Sequence, residues 1–415
     1  MSKIGRVLLV GFPAMAVRSL SVLALQQPQP CNARRGSKHI ERNDRILVED
    51  ISSAQDLQDL ANLNALRKPG SLKYTSSWRD WCARSLDASR YHLSQNLPHV
   101  PDPQGFGELF FNLGAAADTG EMPSFQDPGS RSGYALEFFC RARLLAHLLF
   151  DNYNQLSLSS GPRSTSDDFI RNLYRPERSV ETGRNENICR MVSIGGGPGY
   201  DFVGVLLADT FSTCGRGSTR IEGTVFDYEK GWEDLVKAMN VATNHALVND
   251  EQSSLHWGGT CDITKPLTDA SNQEALLPTI ASTDVFVCQY CIAENAKGLR
   301  ESEFVFFADL FDEARMDTVF ILTEVTPRIW PEIVDVLLQR PDGGEDFQVH
   351  FIGTTTRKKG GQMFISKRKG SGISPEALSA CEEYRRLRTL HERKIENGFQ
   401  RQPKKVRGGK ALVEA

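Results

Sequence analysis

The second half of this 415-residue chain predicts an α/β fold: a mostly parallel sheet of seven strands, helices on both faces, and an antiparallel hairpin at the end. Three observations carry it. From Asn187 onward, short β-rich runs alternate with helical segments, the pattern of a parallel sheet joined by crossover helices. The first β-rich run opens directly into Gly195-Gly196-Gly197-Pro198-Gly199 and then a helix. The last two runs, FQVHFIGTTTR and QMFISKRK, are separated by KKGG, a hairpin signal.

The elements follow in order. NICRMVSI is strand one and DFVGVLLADTF the helix after it. TRIEGTVFDYE is strand two, and WEDLVKAMNVATNHAL is a helix. LHWGGTCDIT is strand three. TDVFVCQYCIAENA contains strand four, apolar almost throughout, as a strand buried on both faces should be. ESEFVFFADLFDEAR reads as one helix and DTVFILTEV as strand five. Ahead of the sheet, residues 41–185 show helical patterning and no alternation. SWRDWCARSLDASRYHLSQNL is a helix, and SGYALEFFCRARLLAHLLFDNYNQL, apolar nearly all round, is a single buried helix. PHVPDPQGFGELFF and DTGEMPSFQDPGSRSG, punctuated by Pro and Gly, read as loops. After the sheet, Leu378, Cys381, Tyr384, Leu387 and Leu390 repeat at three-residue spacing on an amphipathic helix. The expected units are 1–40, an extension or targeting peptide; 41–185, a helical region; 186–372, the α/β domain; and 373–415, a helix with a basic tail.

Charge is unevenly spread. Residues 1–40 hold six basic residues and no acid; residues 351–415 hold 16 basic against six acidic ones; the net charge of the whole chain is −3. The middle is therefore strongly acidic and a poor partner for nucleic acid, while the basic end keeps that partner open. The first 40 residues read as an organelle transit peptide or a disordered extension. A secretory signal is weakened by Arg18, which interrupts the apolar stretch after MSKIGR. The expected location is intracellular: an organelle (mitochondrion or plastid) if that segment is a transit peptide, cytoplasmic otherwise. The longest uncharged apolar run, Val7 to Val17, is too short for a bilayer span, so no membrane partner is expected. Nine scattered cysteines suggest reduced thiols rather than a disulfide scaffold. Cys288 and Cys291 have the spacing of half a zinc site, but no matching second pair exists, so no metal is expected.

The glycine run is the motif that carries chemistry. Glycines there allow a tight turn and bring backbone close to a ligand, at the edge of the sheet where open α/β folds bind small molecules. It is not a dinucleotide fingerprint, since Tyr200 or Phe202 stands where either register of G-x-G-x-x-G needs its last glycine. It is not a phosphate loop either, because no Gly-Lys-Ser or Gly-Lys-Thr follows.

A G-x-G-x-G after strand one is similar to motif I of the class I S-adenosylmethionine-dependent methyltransferases. The resemblance covers about residues 187–370. It implies a Rossmann-like seven-stranded methyltransferase sheet with the helical N-terminal region as a cap, S-adenosyl-L-methionine as cofactor, and methylation as the activity. Gly195, Gly196, Gly197 and Gly199 would line the cofactor. Asp227, which ends strand two, would accept from both ribose hydroxyls, and Asp262, after strand three, would face the adenine amino group. Tyr228, Ile263 and Gln289 are carried with them as cofactor contacts. The family often has an acid two positions before the first glycine; here Ser193 stands there, and Asp201 is the substitute. The phrase IGGGPGYD behind a long helical region also resembles poorly characterised eukaryotic methyltransferases, and some relatives with GGGPG are ribosomal-RNA uracil methylases.

The loop after strand four, Cys288 to Asn295, would form the acceptor side. It lacks the Asn/Asp-Pro-Pro-aromatic tetrapeptide of methylases that act on exocyclic amino groups. Tyr290, for stacking, and Glu294, for proton transfer, are the weak catalytic candidates, set against a packing aromatic and a helix-start carboxylate. Cys291 as a covalent nucleophile is disfavoured. Glu324 and Arg328, after strand five, would line the same edge. The acceptor is open. RNA is drawn from Arg357, Lys358, Lys359, Lys367, Arg368 and Lys369; a small molecule or protein is the alternative, and a non-catalytic scaffold of the same fold the third reading.

Overall fold

The computed structural model describes residues 72–119, 124–158, 188–212, 220–247, 253–352 and 361–396. The expectations for residues 1–40, for the turn carrying Arg357, Lys358 and Lys359, and for the tail after 396 lie outside them.

Among the described residues four helices come first: α1 (Leu72–Gln95), α2 (Pro103–Thr119), α3 (Pro128–Glu137) and α4 (Cys140–Leu158). Then follow β1 (Ile188–Ile194), α5 (Tyr200–Ser212), β2 (Arg220–Asp227), α6 (Glu233–Leu247) and β3 (Ser254–Thr260). Two single helical turns lead to β4 (Val285–Gln289), α7 (Ala296–Glu301), α8 (Val305–Glu313), β5 (Val319–Thr323) and α9 (Trp330–Leu338). The chain closes with β6 (Phe347–Ile352), β7 (Gln362–Lys367) and α10 (Pro375–Glu396).

The strands form one sheet in the order β3-β2-β1-β4-β5-β7-β6. β1 to β5 pair in parallel, while β7 runs antiparallel between β5 and β6. The predicted hairpin is thus present, with its second strand inserted next to β5. β4 and β5 are buried along their whole length, which explains why their sequences are continuous apolar runs instead of alternating ones. The chain winds from β1 outward to β3, then crosses back to β4. The crevice between β1 and β4 is therefore the switch point where open sheets take ligands.

One buried cluster joins Leu86 and Leu93 of α1, Tyr134 of α3, Leu145 and Leu149 of α4, Phe202 and Leu206 of α5, and Met191 and Val287 of the sheet. The helical region therefore packs on one face of the sheet as part of a shared core. Gly204 permits the approach of α4 to α5, since a Cβ there would lie 2.8 Å from the Ala142 carbonyl oxygen and 2.9 Å from Leu145 Cβ. The other face carries a second cluster with Phe286, Phe307, Phe311, Phe320 and Trp330.

Several elements depart from expectation. The stretch PDPQGFGELFF is helix α2, not loop. Asp102 Oδ1 accepts from Gln104 N at 3.0 Å and Pro103 takes the first helical position, so Asp-Pro is here a helix start. Gly105 is needed inside α2 because a side chain would overlap Ser130 Oγ of α3. The single long helix expected over 132–156 is broken at Phe138 and Phe139. Phe138 N donates to Tyr134 O at 3.2 Å, and the chain turns so that Phe139 enters the core, its ring 5.7 Å from that of Tyr200. The helix expected over 301–315 is likewise interrupted by left-handed Glu303 and Phe304, which turns Phe304 into the core. Helix α9 lies in a segment to which the sequence reading gave no element.

Candidate functional site

The site is built at the C-terminal edge of β1, β2 and β4. Gly195, Gly197 and Gly199 all have positive φ, at +63°, +53° and +96°, a region that L side chains adopt at a cost. Space is also short. A Cβ on Gly195 would lie 2.5 Å from Cys291 Sγ, and one on Gly196 would overlap Ser193 Oγ. Above Gly197 stand the rings of Trp232 and of Tyr134, the latter reaching over from α3.

Asp227 braces this turn. Its Oδ2 accepts from Gly197 N at 2.9 Å and its Oδ1 from Glu229 N at 3.1 Å. Gly195 N in turn donates to Phe226 O at 2.8 Å. A second carboxylate, Asp201, sits beneath, only 2% exposed. It accepts from Ser193 Oγ at 2.6 Å and from the Gln289 side-chain amide. Asp201, expected as a substitute for the acid missing at position 193, is thus joined directly to Ser193 by a hydrogen bond.

Asp262 is part of a local turn. Its Oδ1 accepts from Thr264 N at 2.9 Å and Thr264 Oγ1 at 2.6 Å, leaving Oδ2 for any ligand. Ile263 is buried in the core beside it, and Tyr228 is 71% exposed next to Asp227.

On the β4 side, Tyr290 is left-handed at φ +58°, with its N–H held by Thr323 O at 2.8 Å. For a bulky aromatic this conformation is an outlier. The Arg141 guanidinium of α4 lies over the Tyr290 ring at 4.9 Å, and over Phe138 and Tyr134 at 4.9 and 5.3 Å. Glu294 is partly buried and does not cap α7; Asn295 holds the cap position. Glu324, 1% exposed, accepts from Ala293 N at 2.9 Å and so ties the loop after β4 to the end of β5. Arg328 instead bonds Thr326 Oγ1 within its own turn. Cys291 is a poor nucleophile: its pKa is raised well above the usual thiol value by its hydrogen bond with Cys288 and by burial. Among the described residues no group of His, Cys, Asp and Glu is arranged to hold a metal.

Three carboxyls, Asp201, Glu294 and Glu324, feel the charge of the Arg141 guanidinium, and a fourth, Asp227, braces the glycine turn. Burial pushes Asp201 and Asp227 up to about 6, Glu324 up to about 7 and Glu294 up to about 8. Each binds its proton more tightly folded than unfolded. Their stabilising contribution is therefore present at low pH and is lost as pH rises through these values. The ligand-free protein should melt at a temperature that falls between pH 5 and pH 8.5, by on the order of 5 °C. Glu294→Gln should flatten the upper part of that decline. Melting curves of both proteins across this range would check it, and a wild-type curve level across the range would contradict it.

The structure brings together at this edge the predicted glycines, Ser193, Asp201, Asp227 and the loop after β4. It adds Arg141 and Tyr134, to which the sequence did not point. The available signal was a pair of arginines, Arg141 and Arg143, inside an otherwise apolar helical run.

The seven-stranded sheet, parallel but for β7, has the Rossmann-like architecture that the sequence resemblance implies. No family model matches the chain, and no curated protein matches it. Solved structures that match include a point mutant of MtNAS, at 16% identity over 76% of this chain and 98% of that one, with a TM-score of 0.24. A SAM-dependent methyltransferase of Methanosarcina mazei is 11% identical over 46% and 97%, with a TM-score of 0.30. The precorrin-6y C5,15-methyltransferase of Geobacter metallireducens is 11% identical over 46% and 87%, at 0.26. Likeness at this level concerns the fold; the roles of residues rest on this chain alone. No helix among the described residues is long and apolar enough to cross a membrane.

Proposed function

We propose that this chain is an S-adenosyl-L-methionine-dependent methyltransferase. The observation that carries the reading is the turn Gly195 to Gly199, all glycine but for Pro198 and braced by the Asp227 carboxylate, at the C-terminal edge of β1 and β2. Those residues fit the cofactor. Each Asp227 oxygen accepts one backbone bond and keeps a further lone pair for a ribose hydroxyl, and positive-φ glycines let backbone approach a flat, extended ligand. Asp262 through its Oδ2, Ile263 and Tyr228 would border the adenine, while Ser193, Asp201 and Gln289 would face the methionyl end. When bound, the cofactor supplies an activated methyl on a sulfonium. The chain's own part is to hold, orient and exclude water: Tyr134 and Trp232 cover Gly197, and Tyr290 and Glu294, on the loop after β4, would border the reacting end.

A small-molecule acceptor is favoured over RNA. The acidic, ring-lined edge repels a polyanion. Several of the described basic residues are also committed elsewhere. Lys367 donates to the carbonyls of Phe311, Asp312 and Ala314 at 2.7 to 2.9 Å, and Arg385, Arg386 and Arg388 pair with acids on or beside α10. Calorimetric titration of the full chain with S-adenosylhomocysteine, beside NAD as a control, tests the reading. Micromolar binding of the first alone is expected. Binding of NAD instead would overturn it, and binding of neither by a folded protein would leave the scaffold reading.

A further inference from the structure

Arg131, near the start of α3, is only 5% exposed, and its Nε has no hydrogen-bond partner. Its Nη1 donates to two backbone carbonyls, that of Phe125 and, at 2.8 Å, that of Gln126. The face of the same guanidinium lies against Gly231, where a Cβ would overlap it. One side chain thus joins two segments distant in sequence: residues 124–127, which lead into α3, and residues 228–232, which lead out of β2. Arginine suits this task, since its planar group packs with a face while its edge donates.

Both segments border the glycine turn. The rings of Trp232 and Tyr134 stand over Gly197, their nearest atoms 3.8 and 3.9 Å from where a Cβ would lie. The Phe125 ring packs against both, its centroid 5.2 Å from that of Trp232 and 5.6 Å from that of Tyr134. On the other side, Gly231 N donates to Glu229 Oε1 at 3.0 Å and Glu229 N to Asp227 Oδ1 at 3.1 Å. The turn on which Arg131 lies is therefore tied to the carboxylate that braces Gly197. Ser124, Gln126 and Asp127 are exposed. Residues 124–127 are thus a strap with one ring turned inward and the carbonyls of Phe125 and Gln126 held by Arg131.

We infer that Arg131 is a positioning residue that fastens this strap over the turn formed by Gly197 and Asp227, so that Phe125, Trp232 and Tyr134 enclose the adenosine half of the cofactor and set how long it stays bound. The inference rests on the methyltransferase reading and deepens it. Arg131 touches no reacting atom. An enclosed ligand leaves only when its cover lifts, and affinity differences between related complexes lie mostly in the dissociation rate. The effect belongs to the adenosine half, so a ligand without the amino-acid end feels it equally.

The test uses the full chain as wild type, Arg131→Met, Arg131→Lys and Phe125→Ala, the last reaching the same strap by another route should Arg131→Met fail to fold. Binding and release of S-adenosylhomocysteine and of 5′-methylthioadenosine, which lacks the amino-acid end, are followed by stopped-flow tryptophan fluorescence. Arg131→Met and Phe125→Ala are expected to speed the release of both ligands by about tenfold or more, with association rates within about twofold of the wild type. Arg131→Lys, which keeps a donor but not the plane, should fall between. A merely structural role gives a different result: a distorted turn lowers the fraction of molecules able to bind, which slows apparent association and leaves release unchanged. That result overturns the inference. So do release rates equal to the wild type's in the variants that fold, and so does faster release of S-adenosylhomocysteine alone. Failure of the folded wild type to bind either ligand would instead sink the methyltransferase reading, and this inference with it.

Discussion

Asp227→Asn is expected to weaken S-adenosylhomocysteine binding by about 100-fold or more while leaving the fold intact. The carboxylate stands at the end of β2, with Oδ2 bonded to the glycine turn through Gly197 N and Oδ1 to Glu229 N. Each charge-assisted hydrogen bond to a ribose hydroxyl contributes about 1.5–3 kcal/mol, so losing two corresponds to a change in affinity of at least that size. Asparagine keeps the volume and one carbonyl oxygen, which preserves the bond from Gly197 N or Glu229 N. The melting temperature should therefore move by only a few degrees. Titration and melting on the same samples separate the two effects. A variant that binds like the wild type would show that Asp227 serves the turn and not the ligand.

Gly196→Ala is expected to be the more damaging change to the molecule itself. Its new methyl would occupy the place of Ser193 Oγ and lie 2.9 Å from Ser193 Cβ and 3.3 Å from Val225 Cγ1. Overpacking of this kind costs about 1–3 kcal/mol. Displacing the hydroxyl also takes one partner from the buried Asp201 carboxylate, which costs about 1–3 kcal/mol more. The expected result is a clear loss of thermal stability and no detectable S-adenosylhomocysteine binding. Because both effects pass through Ser193, they should not add. Adding Ser193→Ala to Gly196→Ala should restore part of the lost stability, although Ser193→Ala alone is destabilising. A double variant less stable than either single one would contradict the proposed geometry.

The sheet was legible because its signals are local. Each strand is a short apolar run, and the glycine turn after Ile194 marks where the first crossover begins. Asp227 was legible as a strand end and Asp262 as a residue just past one, since the ends of strands lie at the ligand edge of a parallel sheet. The hairpin was legible from KKGG, but its placement beside β5 was not, because strand order depends on contacts distant in sequence. The helical region was read less well. Pro103 and Pro128 look like breakers but are first-turn residues behind Asp102 and Asp127, each of which accepts from a backbone N–H of the helix it precedes. The break at Phe138 has no Pro or Gly to announce it; it is set by where Tyr134 and Phe139 pack. Arg141 was invisible as a site residue for the same reason, since only the turn at Phe138 brings it over Tyr290.

The central claim is that the glycine turn and Asp227 receive the cofactor. Amide hydrogen exchange of the full chain, with and without saturating S-adenosylhomocysteine, tests it most directly. Protection is expected to concentrate in residues 193–201 and 225–231, with a smaller effect at 289–294 and 134–141. Protection confined to other segments, with these peptides unchanged, would contradict the account.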